Sequence, residues 1–177
     1  MLFPQPASGW WELHLRSIVC FRLMKALFLI VPALALLGAT ASPEASDVKP
    51  SAEALERGKA VYMKTCVACH QPNGQGLAPV FPPLDGSEWL QLDNTVLAKI
   101  ILRGLQGPIK VKGVDYNMVM APLADSLKDG EVADVINYTR VTFGKGGPFA
   151  DEAAVKAARE ASKGQKVPYT AAELGVK

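Results

Sequence analysis

Apolar residues recur at three- and four-residue spacing in several stretches of the chain, and each stretch predicts a helix. Leu55, Gly58, Val61 and Tyr62 line one face of a helix running to about Lys64, with Ser51 as N-cap and Glu53 near the positive end of its dipole. Gly58 lowers helix stability, so its expected use is a close helix–helix contact. Val96, Leu97, Ile100 and Ile101 mark a second helix, capped by Asp93 or Asn94 and stopped at about Arg103 by Gly104. Val132, Val135 and Ile136 mark a third, beginning near Asp129. Asp129 is expected as an N-cap without a full capping box, because Val132 stands where a glutamate would complete one. An alanine-rich helix spans about Asp151 to Ser162. Between these lie residues 71–88, whose glycines and prolines exclude helix and central strand. So long a loop needs something to organise it. Ile109 and Val111 followed by Val114-Asp115-Tyr116 predict a loose hairpin. The pattern is that of an all-α domain with long loops.

Before residue 42 the pattern changes. Met24-Lys25 precede the apolar run Ala26–Gly38, and Ala39-Thr40-Ala41 supplies a small-x-small cleavage site, which is the layout of a secretory signal peptide. The run is shorter than the roughly 20 residues of a transmembrane helix. Residues 1–41 are therefore read as an upstream segment followed by a signal peptide over about 24–41. The expected location is the periplasm, with no stable membrane span after signal removal; an uncleaved N-terminal anchor is the alternative. Cys20 and His14 fall in the upstream segment, and neither reads as a ligand. Residues 42–50 form a flexible lead-in, 51–143 the folded domain, and 144–177 a C-terminal extension that wraps the domain, docks a partner or stays mobile.

A chain of 177 residues holds one domain and an appendage, not the roughly 250 residues of a TIM barrel. The net charge of +2 misleads, because Arg16, Arg22, Lys25 and Glu12 all precede residue 42 and the remainder balances. No nucleic-acid partner is expected of a formally neutral mature chain.

The chemistry is concentrated in Cys66-Val67-Ala68-Cys69-His70. Two thiols three positions apart at the end of a helix can reach one edge of a planar macrocycle and form thioethers with its vinyl-derived carbons. The imidazole that follows can reach the iron from one face, so C-x-x-C-H reads as c-type haem attachment. A thioredoxin-like pair instead begins a helix, where the dipole lowers a thiol pKa. A structural zinc site needs four protein ligands, and a carboxylate would have to complete this one. A structural disulfide is the remaining alternative for an exported chain.

His70 is the one histidine after residue 41, which excludes bis-histidine ligation in the mature chain. Met63 precedes Cys66 on the attachment helix and reads as core filler. Met118 and Met120 lie on a downstream loop long enough to reach the other face. A thioether is soft and weakly basic, so it favours reduced iron. Two protein ligands suit electron transfer, whereas an open sixth position suits a haem enzyme or gas sensor.

The stretches Gly58–Tyr62, Cys66–His70, Asn73–Gly76, Phe81–Gly86, Asn117–Pro122 and Leu127–Arg140 resemble the class I c-type cytochromes, monohaem domains of the bacterial exported type. The resemblance implies the cytochrome c fold, with helices packed around one covalently bound haem c and a C-terminal helical extension outside the minimal domain. It implies thioethers at Cys66 and Cys69 and proximal ligation by His70. Pro82 is similar to the family proline whose carbonyl accepts the imidazole N–H and fixes the ring. The family's distal ligand stands in a Met-Pro pair. The nearest match here is Met120-Ala121-Pro122, which favours Met120 and leaves Met118 open. Gly58 and Tyr62 would cross the later helix near Val135 and Tyr138, and Trp89, Arg103, Ile109 and Tyr116 would line the pocket or its propionate side. The implied function is single-electron transfer without catalysis of its own. The implied partners are redox proteins such as a dehydrogenase, oxidase or reductase. The alternatives are a haem-c electron-entry subunit of a larger oxidoreductase and an open-site enzyme or sensor. With the charge balanced, partner choice rests on a local patch, expected to be apolar and to surround the exposed haem edge.

Overall fold

The two longest helices among the described residues are α1, Ala52–Thr65, and α4, Asp129–Thr142, and they cross at Gly58. A Cβ there would lie 2.2 Å from the Asp134 carbonyl oxygen and 2.8 Å from Tyr138 Cβ, so the crossing requires a residue without a side chain. Arg57 reinforces it from the solvent side, its Nε 2.7 Å from Asp134 Oδ2. Between these helices in sequence come α2, Val67–His70, a 3₁₀ turn over Glu88–Gln91, α3, Asn94–Arg103, and the antiparallel hairpin β1, Ile109–Val111, with β2, Val114–Tyr116. The last helix, α5, Glu152–Ala161, packs against α3 and α4. This is a computed structural model, and it describes residues 49–176. The expected upstream segment, signal peptide and most of the lead-in lie outside the described residues. No helix among the described residues is long and apolar enough to cross a membrane.

The helix boundaries follow their caps. Ser51 Oγ accepts from Ala54 N at 3.2 Å, Asp93 Oδ1 from Thr95 N at 2.7 Å and Asp151 Oδ1 from Ala154 N at 2.7 Å. The third predicted start is corrected. Asp129 is the first helical residue of α4 and Lys128 is its N-cap, with Glu131 reaching back to accept from the Lys128 N–H at 2.8 Å. The Asp129 carboxylate is drawn outward instead to Arg159, 2.6 Å away.

The core is apolar, built around Tyr62, Leu102, Val132, Val135, Ile136 and Val155, yet its largest fully buried side chain is Arg140. Its guanidinium donates to the carbonyls of Leu90, at 2.8 Å, Leu92 and Pro148 and to Asn94 Oδ1. Burial pulls its pKa down to about 10, with Asp93 acting in the opposite sense, so the group stays cationic at neutral pH. A single cation thus ties the turn after the 3₁₀ segment to the start of the C-terminal extension. Asn137 makes a matching tie to Ala150, with its amide donating and accepting at 2.8 Å. The extension wraps the domain, and its tail through residues 163–176 is hydrogen-bonded rather than loose.

Arg140→Met removes these donors and leaves several buried oxygens unpartnered. The substitution is expected to lower stability by roughly 3 kcal/mol or more, read from the midpoint of guanidinium unfolding at unchanged m-value. Unchanged stability would show that the buried cation is dispensable.

Candidate functional site

The site begins where α1 stops. Cys66 caps α1, its N–H donating to the Tyr62 carbonyl at 2.9 Å, and the chain then turns into the four-residue α2. That short helix is closed by His70 N–H donating to the Cys66 carbonyl at 3.0 Å. Gln71, at φ +64°, breaks it, and the Tyr62 hydroxyl donates to the Gln71 carbonyl at 2.6 Å. Tyr62 in turn packs among Tyr138 and Phe143, with ring centroids 5.6 and 5.2 Å away. The segment holding His70 is therefore anchored to the α1–α4 crossing. Cys66 is half-buried and Cys69 exposed, and both thiols are free. Burial pushes the Cys66 thiol up, opposed by Thr65 Oγ1 at 3.4 Å.

His70 Nδ1 lies 3.0 Å from the Pro82 carbonyl oxygen. A carbonyl can only accept, so Nδ1 carries the proton and Nε2 keeps its lone pair. Burial lowers the His70 pKa, with the Pro82 bond opposing it, which favours the neutral ring that a metal requires. The loop 71–88 exists in this form to deliver that carbonyl. Gly76 N–H donates to the His70 carbonyl at 3.0 Å, and Leu84 and Asp85 both donate to the Gly74 carbonyl, at 2.7 and 2.9 Å. Gly76 has φ +63°, and a Cβ there would sit 2.4 Å from the Phe81 oxygen and 2.6 Å from the Pro82 oxygen.

Two adjoining cavities open beside this loop, and Cys66, His70, Pro82, Leu105 and Met120 line both. The inner one is a narrow, partly open crevice lined by Trp89, Leu90, Leu97, Ile100 and Val111. Its polar hydroxyls are already engaged, Ser87 by Trp89 N–H and Thr139 by the Ile136 carbonyl, and no Asp, Glu, Lys or Arg side chain lines it. An apolar crevice lined by an imidazole lone pair, a thioether and a thiol, with a second thiol in the adjoining cavity, fits a haem attached through cysteine. It does not fit the zinc alternative, because among the described residues no three His, Cys, Asp or Glu side chains gather to hold an ion.

The other predicted residues divide. Met120 is half-buried and lines both cavities, whereas Met118 lines only the outer one and is 55% exposed. Met63 is not core filler, since it is 46% exposed on the outer face of α1. Trp89 lines the inner cavity, with its Nε1 donating to the Lys110 carbonyl at 2.9 Å. Arg103, Ile109 and Tyr116 do not line either cavity. The Arg103 guanidinium is drawn to Ser162 Oγ at 3.1 Å, and the hairpin turns Val111 into the crevice instead. Val111 was missed from the sequence: it shares a side of β1 with Ile109, and that spacing does not show which of the two reaches the crevice.

The sequence profile of the Cytochrome c family matches residues 55–142, which contain every element of this crevice. A cytochrome c-552 from Thermus thermophilus is 39% identical over 130 residues, covering 68% of this chain and 98% of that protein. The chain belongs to the cytochrome c family. Its members carry covalently bound haem c, and the crevice is where this cytochrome would hold it. A cytochrome c-554(548) from Halomonas halodenitrificans is 39% identical over 74 residues, 42% of this chain and 80% of that protein. The cytochrome c subunit of a quinone alcohol dehydrogenase from Gluconacetobacter polyoxogenes is 33% identical over 93 residues, 51% of this chain but 19% of that subunit.

Gly76→Ala forces the Pro82 carbonyl away from His70 and strains a left-handed residue. A destabilisation of more than about 1 kcal/mol is expected in denaturant unfolding of the haem-loaded cytochrome. Wild-type stability would mean that the Gly76 contact does not hold Pro82 in place.

Proposed function

We propose that this cytochrome carries single electrons between redox proteins, using one haem c held by His70 and Met120. The observation that carries the reading is that both donors line the same cavities. His70, with Nδ1 committed to Pro82, and half-buried Met120 line the same two cavities, which hold no charged side chain to act as acid or base. Haem c, once bound, supplies a one-electron ferrous–ferric couple. The chain's own work is to attach, orient and enclose. Cys66 and Cys69 would provide the thioethers, Pro82 fixes the His70 ring, and Leu90, Leu97 and Ile100 keep water from the inner crevice. Two protein donors favour transfer over catalysis, because no site is left for a small substrate.

Docking would use the outer rim, where Met118 and Val119 are each more than half exposed and line the outer cavity with Cys69. This apolar patch suits a formally neutral mature chain, whose partner would be a dehydrogenase, oxidase or reductase. The likeness to dehydrogenase cytochrome subunits supports a second reading, in which the chain is the electron-entry subunit of a larger oxidoreductase. Co-purification of a catalytic subunit distinguishes that reading from a free carrier. The signal-like segment supports export to the periplasm.

Optical spectra of the oxidised holoprotein test the ligand assignment. The methionine-to-iron charge-transfer band should be present in the wild type and in Met118→Ala and absent in Met120→Ala. A wild-type protein that is high-spin and takes up carbon monoxide avidly would contradict the carrier reading and favour an open-site enzyme or sensor.

A further inference from the structure

We propose that the C-terminal tail positions Met120, acting through Leu105 as an intermediate strand. This rests on the reading of Met120 as the distal ligand. From Asn117 to Pro122 every residue is exposed except Met120, so side-chain packing does little to fix this segment. Its backbone is fixed by Leu105 instead. Met120 N–H donates to the Leu105 carbonyl at 2.8 Å, and Leu105 N–H donates to the Met120 carbonyl at 3.2 Å.

The tail lies along this same strand. Leu105 bridges Tyr169 in parallel, with Gln106 N–H donating to the Tyr169 carbonyl at 2.8 Å and Tyr169 N–H donating to the Gly104 carbonyl at 3.1 Å. Gln106 Nε2 adds a side-chain bond to the Pro168 carbonyl at 2.8 Å. Gly104 marks how closely the three strands are pressed: a Cβ there would lie 2.4 Å from the Met120 oxygen and 3.2 Å from Pro168 Cβ. Met120, Leu105 and Tyr169 thus form a ladder three segments wide, with the tail as its outer rail. A second clasp acts downstream of the methionine. Arg159 donates to the carbonyls of Ala124 and Leu127, each at 2.7 Å, and pairs with Asp129. The extension therefore holds the methionine-bearing loop both beside Met120 and beyond it.

A loosened Met120 competes less well for the iron, so added imidazole should bind the ferric holoprotein more tightly. Deleting residues 167–177 is expected to tighten imidazole binding about tenfold, and Gln106→Leu in the full chain about threefold. In a Met120→Ala background the same deletion should have no further effect, which separates positioning of the methionine from general loosening of the crevice. Unchanged imidazole affinity in the deletion variant overturns the proposal, as does equal tightening with and without Met120. Should the deletion variant fail to fold, Gln106→Leu decides, and wild-type affinity there overturns it. If Met120→Ala alone leaves imidazole affinity unchanged, the ligand assignment fails, an outcome distinct from failure of the tail to act on it.

Discussion

Much of the loop architecture follows from the need to hold one imidazole still. His70 sits on a four-residue helix with little rigidity of its own, and a hydrogen bond to the Pro82 carbonyl fixes its ring. A backbone carbonyl twelve residues away can serve only if the intervening loop returns close to its own start. Gly74 accepts two N–H bonds from the returning strand, and Gly76 lets the Phe81–Pro82 backbone approach more closely than a Cβ would allow. On the other side, Tyr62 pins Gln71 from within the α1–α4 crossing, which itself closes only because residue 58 is glycine. Helix packing, loop closure and ring orientation are linked in one chain of contacts.

The second half of the molecule solves a different problem with polar atoms. The turn at residues 90–94 and the Gly-rich segment before Pro148 have carbonyls that no regular structure satisfies, and buried carbonyls without donors are costly. Arg140 supplies the donors from within the core, surrounded by neutral oxygens rather than a carboxylate at contact distance. The same residue brings the extension back onto the domain. From there α5 lies across α3, and the tail reaches the strand at Leu105. The extension is thereby an integral layer of the fold and not an appendage.

The four long helices were legible from local signals: apolar spacing or an alanine run, caps at Ser51 and Asp93, and a glycine stop after Arg103. Cys66, Cys69 and His70 were legible because their spacing is itself the chemistry, and Pro82 through family resemblance. Met118 and Met120 could not be separated by spacing, since residues two apart share a side of an extended segment. The pairing with Leu105 puts Met120 on the crevice wall and leaves Met118 at the rim, and no local pattern encodes that pairing. The burial of the Arg140 guanidinium was not legible, because nothing nearby in sequence announces the carbonyls it serves. Asp129 was misplaced for a related reason, its cap role being displaced by Arg159, thirty positions downstream. Met63 was placed inward on apolar character alone, although α1 turns it to solvent. In each case a long-range polar partner or the direction of a helix face decided the outcome.

The central claim is that the crevice presents one histidine and one particular methionine to the iron. Nuclear magnetic resonance of the reduced, haem-loaded protein with labelled methionine methyl groups tests it most directly, because a methyl held against the ring face is displaced strongly by the ring current. The account predicts one such displaced methyl, belonging to Met120, with Met63 and Met118 at ordinary positions. A displaced methyl assigned to Met118, or none at all, would contradict it.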